Sequence, residues 1–166
     1  MNKKVVWLLL AFICCTARVE AQSLTEAERQ AHVRSQIMTC KGYETMKRYE
    51  EAYLLAKELM QGHLTDSEKK DVGHLYAMSG YKYAADFMRK DNAQYTKARG
   101  ILEEVAPYAD EELKGYVLLR VATAWYFEGA EYQISQEYGK ALECFQHALK
   151  GFHELGRTKN EISVLK

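Results

Sequence analysis

Three stretches of the chain are near copies: Arg48-Tyr49-Glu50-Glu51-Ala52, Gln94-Tyr95-Thr96-Lys97-Ala98 and Glu137-Tyr138-Gly139-Lys140-Ala141. Tyr49 to Tyr95 is 46 residues and Tyr95 to Tyr138 is 43, a period that signals an array of helical units rather than one undivided core. Each copy opens an amphipathic run. Apolar residues recur at three and four in Ala52, Ala56 and Leu59, in Ala98, Leu102 and Val105, and in Ala141, Phe145 and Ala148. The single proline, Pro107, and glycines that punctuate rather than cluster leave little that reads as strand.

Start and stop signals divide the chain further. Ser23-x-x-Glu26 and Thr65-x-x-Glu68 have the form of capping boxes, and Asp110 followed by Glu111 and Glu112 places carboxylates at a helix's positive end. Ser135 is the expected cap of the sixth helix. Gly62, Asp91-Asn92, Pro107 and Gly156 read as stops. The helices predicted from these signals cover 24–46, 48–61, 67–90, 93–106, 111–132 and 136–155, forming pairs over 24–61, 67–106 and 111–155. A seventh helix starts near Thr158, and a fourth pair is thus begun over 158–166. A helix that stops at Lys166 leaves Leu142, Phe145, Leu149 and Phe152 of the sixth partly exposed, so the expectation is an array longer than this chain.

Residues 1–21 stand apart. Lys3 and Lys4 precede the apolar run Val5–Cys15, and Val19-Glu20-Ala21 suits cleavage before Gln22, so the segment reads as a secretory signal. The run is shorter than the roughly twenty residues a bilayer span requires. Export to the periplasm or the extracellular space follows, with membrane association only if the chain continues or is lipidated. The balanced 23 basic and 23 acidic residues lose Lys3, Lys4, Arg18 and Glu20 with the signal, which leaves a net charge of −2. That balance lacks the basic stripe phosphate binding needs, so no nucleic-acid partner is expected. Cys40 and Cys144 lie on apolar helical positions of different units and read as buried thiols, not as a bridge.

Chemistry-bearing constellations do not emerge. His32, His63, His74, His147 and His153 form no i, i+4 ligand pair, so no metal is expected. Glu50-Glu51, Glu103-Glu104 and Glu111-Glu112 are adjacent on helices and point in different directions, which suits solvated faces better than paired acid and base. Nucleophile elbows and glycine-rich phosphate loops are missing. Neither an enzyme nor a cofactor is expected.

The third pair carries Leu118, Val121, Ala122, Trp125 and Gly129, then Tyr138, Ala141, Phe145 and Ala148. The second has Tyr76, Gly80 and Tyr83, then Tyr95, Ala98, Leu102 and Val105; the first has Cys40, Tyr43, Tyr49, Ala52, Ala56 and Leu59. This spacing resembles the tetratricopeptide repeat over roughly residues 26–166. The resemblance implies an all-α, right-handed superhelical array of antiparallel helix pairs, an α-solenoid occupying residues 22–166. It assigns Tyr43, Tyr49, Ala52, Gly80, Tyr83, Tyr95, Ala98, Ala122, Trp125, Tyr138, Ala141 and Phe145 to repeat packing. Small members let helix backbones approach and aromatic ones fill the space between helices.

One departure is plain: Tyr43 to Tyr49 is 6 residues, but Tyr83 to Tyr95 is 12 and Trp125 to Tyr138 is 13. The extra residues, Phe87–Asn92 and Ala130–Ser135, are expected to lengthen the first helix of each pair. In this family the flanks of that helix line the concave surface. The matching positions are Arg34, Lys41, Glu44, His74, Tyr81, Tyr116, Thr123 and Tyr126, implying a groove for a protein or peptide. A second reading is the sensor ectodomain of a larger membrane signalling protein, such as a histidine kinase or a related regulator.

Overall fold

The computed structural model describes residues 25–89 and 93–156. The expected signal segment, the expected stop at Asp91-Asn92 and the expected start of a fourth pair lie outside them. All regular structure among the described residues is helical: α1 (Glu26–Thr45), α2 (Tyr49–Met60), α3 (Asp66–Arg89), α4 (Tyr95–Val105), α5 (Glu111–Ile134) and α6 (Tyr138–Glu154), with a 3-10 turn at Ala106–Tyr108. The lengthened first helices are present, since α3 and α5 each run 24 residues.

Two compact units divide the chain after Ser35. The described part of the first is the beginning of α1. Thr25 opens it with a reciprocal box: the Thr25 amide donates to Glu28 Oε2 at 2.8 Å, and the Glu28 amide donates to Thr25 Oγ1 at 3.3 Å. Ser23 of the expected Ser23-x-x-Glu26 box lies outside the described residues; Glu26 pairs with Arg29 at 2.7 Å.

In the second unit, Thr65 and Glu68 make the expected box at the start of α3. Asp110 caps α5 by accepting from the Leu113 amide at 2.8 Å. Ser135 does not cap α6; it ends α5 instead, and no side chain caps α6. The reason is a backbone device that occurs twice. At the end of α1, the Arg48 amide donates to the Tyr43 carbonyl and the Lys47 amide to the Glu44 carbonyl; at the end of α5, Glu137 and Gln136 donate in the same way to Tyr132 and Gln133. These are Schellman closures, and they hold Lys47 at φ 59° and Gln136 at φ 62°. Tyr132 therefore occupies at the end of α5 the place Tyr43 holds in α1, and the extra residues of the third pair lie inside the helix.

From α2 to α5 each helix packs on the next one in the chain, and α3 also meets α5. The main core joins Cys40 of α1, Ala52, Tyr53 and Ala56 of α2, Leu75, Ala77, Ala84 and Phe87 of α3, Ala98, Leu102 and Val105 of α4, and Leu113 and Val117 of α5. A smaller cluster joins Ala122 of α5 to Ala148 and Phe152 of α6. Close approach depends on small residues: a Cβ on Gly80 would lie 2.6 Å from Val105 Cγ1, and one on Gly129 2.8 Å from Phe145 Cε1. Gly151 meets Ala122 in the same way, which draws Phe152 inward; it is buried, contrary to the expected partial exposure.

Candidate functional site

Ala52, Gly80, Ala98, Ala122 and Ala141 are buried. Tyr43, Tyr49, Tyr83, Tyr95, Trp125 and Phe145 are half-buried. Tyr83 packs on Tyr53 and Phe87 and donates to Glu50 at 2.7 Å; Tyr95 stacks on Phe127. Trp125 lies between the Arg99 guanidinium, 3.5 Å from its ring centre, and His147, stacked at 4.4 Å. Tyr138 departs from its expected packing role. It is 64% exposed, because it begins α6 on a side that no described helix covers, as does Leu142 one turn later.

The eight groove candidates separate. His74 and Tyr81 of α3 and Tyr116 of α5 line one cleft of about 300 Å³ together with Met78, Asp110, Glu112 and Leu113. His74, Met78 and Tyr81 fall on one stripe of α3, and Leu113 and Tyr116 on one stripe of α5, so the contact between these helices creates the cleft. Lys41 lines an adjoining cavity of about 490 Å³ with Lys69, Lys70, Asp71, His74, Tyr108 and Asp110. His74 and Asp110 border both and are joined, Nδ1 to Oδ2, at 3.0 Å. The Leu113 amide and, to a lesser degree, the His74 ring hold the Asp110 carboxyl below the usual aspartate range, against the opposing effect of desolvation.

Four candidates lie elsewhere. Glu44 is mostly buried and faces the Lys82 ammonium at 3.5 Å. Thr123 returns its hydroxyl to the Leu119 carbonyl at 2.8 Å, the usual recourse of a mid-helix threonine. Tyr126 is packed against Phe127, Phe145 and the α5–α6 cluster. Arg34 is exposed within the first unit.

A polar cluster went unread in the sequence. Tyr53 donates to Glu104 Oε2 at 2.8 Å, Tyr76 donates to Glu104 Oε1, and Lys57 Nζ lies 2.6 Å from the same carboxylate. The only signal was Tyr53 and Lys57 one turn apart, and Glu104 read as a solvated face. A second such group holds the buried Glu128, which accepts from Arg99 Nε at 3.1 Å and Thr96 Oγ1 at 3.0 Å. Both carboxylates are engaged within the fold, which suits bracing better than proton transfer. Cys40 and Cys144 are free and buried, and burial raises both thiols, Cys40 to about 11, so neither is poised as a nucleophile. No cluster of three metal-ligating side chains occurs among the described residues.

Comparison of the chain with protein-family models, with curated proteins and with solved structures finds no match.

Proposed function

We propose that the chain is an exported scaffold of antiparallel helix pairs, similar to tetratricopeptide arrays, that holds a protein or peptide segment without turning it over. The observation that carries this reading is the α3–α5 cleft. Three residues selected from sequence, His74, Tyr81 and Tyr116, meet there around Met78 and Leu113. An apolar floor edged by tyrosines offers contact area at low entropy cost, the usual character of a peptide hot spot. Short connections between successive helices, and the packing of each helix from α2 to α5 on the next, support the paired arrangement.

A selection from random peptides on the mature chain tests the reading. Selected peptides are expected to lose about tenfold or more in affinity to Tyr81→Ala combined with Tyr116→Ala, with helicity unchanged. Peptides that bind wild type and this variant equally would remove the cleft from consideration. Tyr126→Ala serves as a contrast: its ring packs on α6, so it should lower stability and leave peptide affinity unaltered.

A further inference from the structure

The paired clefts differ in charge, and the difference specifies a ligand class; this step rests on the peptide-binding reading above. Lys41 from α1 and Lys69 and Lys70 from α3 line the larger cavity, and none has an ion-pair partner among the described residues. Two carboxylates share that cavity. Asp110 is already engaged by His74 and the Leu113 amide, which leaves Asp71 as the other carboxylate among three exposed lysines. Like charges gathered in a concavity repel one another until a counter-charge enters, and low-dielectric walls focus the field that draws it in.

The smaller cavity has the opposite character. Met78 and Leu113 supply its apolar lining, Tyr81 and Tyr116 its aromatic one, and Glu112 discourages a carboxylate there. The Arg120 guanidinium lies 4.9 Å from the centre of the Tyr81 ring, and its Nε has no hydrogen-bond acceptor among the described residues. Because His74 and Asp110 border both cavities, one extended segment can reach both.

We propose that the two clefts together bind an acidic peptide segment, its carboxylates beside Lys41, Lys69 and Lys70 and a neighbouring apolar side chain between Tyr81 and Tyr116. The order along the ligand follows from the lining: charge on the α1–α3 side of His74, apolar contact on the α3–α5 side.

Three sets of blocked peptides titrated into the full chain by fluorescence anisotropy test this. The first carries three glutamates beside one phenylalanine, in both orders; the second has glutamines for the glutamates; the third has alanine for the phenylalanine. The acidic aromatic peptide should bind about tenfold or more tighter than its glutamine counterpart at low ionic strength, an advantage that shrinks in about 0.5 M salt. Lys41→Gln, Lys69→Gln and Lys70→Gln together should abolish the advantage and spare the glutamine peptide, and Tyr81→Ala should weaken both. Equal binding of acidic and neutral peptides, both sensitive to Tyr81→Ala, would overturn the charge assignment and leave the peptide-binding reading standing. An unchanged advantage in the triple lysine variant, or an alanine peptide as tight as the phenylalanine one, would also overturn it. No binding by any peptide would overturn both readings.

Discussion

Lys47 and Gln136 carry the least favourable backbone in the described chain, each a non-glycine residue held in the left-handed region at the end of a long helix. Gly156 occupies the corresponding conformation after α6 at φ 63° without strain. Glycine at either position keeps the Schellman bonds and removes a clash between Cβ and backbone. Lys47→Gly and Gln136→Gly are each expected to stabilise the fold by up to about 1 kcal/mol, seen as a higher urea midpoint with an unchanged slope. A lower midpoint would mean that the side chains contribute more than the strain removes. Gly156 was legible as a stop because glycine is itself a signal for this conformation. Lys47 and Gln136 were not, since no residue type marks a left-handed lysine or glutamine. The same blind spot moved the expected cap from the turn to Ser135.

Helices were the most legible level. Periodic apolar residues and local caps are encoded within a few positions, so the predicted spans differ from the observed ones by two residues or so, and the long α3 and α5 followed from spacing alone. What each helix touches was less legible. Gly80 and Gly100 look alike in sequence, yet a Cβ on Gly80 would meet Val105 at 2.6 Å and Tyr53 at 3.2 Å, while one on Gly100 meets nothing within 4 Å. Gly80→Ala should therefore destabilise by about 1–3 kcal/mol despite its better helix propensity, because Val105 is fully buried and stiff at χ1. Gly100→Ala should stabilise by about 0.5–1 kcal/mol. Thermal melts of the two variants that shift in the same direction would contradict the packing of α4 on α3.

Across the second unit, Glu104 of α4 is the polar tie between Tyr53 and Lys57 of α2 and Tyr76 of α3. Burial by itself favours its neutral acid, but Lys57 and the two tyrosine hydroxyls outweigh this and hold the carboxyl below its ordinary 4.5. With the folded value below the unfolded one, its contribution is complete above about pH 4.5 and disappears as pH falls through the folded value. Tyr76 has the opposite sign. Burial and the Glu104 carboxylate raise its hydroxyl above the ordinary 10.0, so its contribution is complete below about pH 10 and is lost progressively as pH rises from there through the folded value. Glu104→Gln should flatten the acid side of the stability profile between about pH 5 and 3 relative to wild type. The slope that remains belongs to other low carboxyls, among them Asp110 and Glu51. Parallel acid limbs for the two proteins would exclude this role.

The tyrosine repeat determined, from the sequence alone, where helices begin and that they come in successive units, because caps and amphipathic period act over a turn or two of chain. It did not determine which of its own tyrosines are covered, and Tyr138 is not. Only the tertiary structure decided that His74, Tyr81 and Tyr116 share a cleft, that Lys41 joins Lys69 and Lys70 beside it, and that Thr123 and Tyr126 do not belong there. Side chains 28 to 42 residues apart meet according to how closely two helices approach. Where α3 meets α4 and α5 meets α6, the approach is set by absent side chains at Gly80, Gly129 and Gly151, whose effect depends on what lies opposite them.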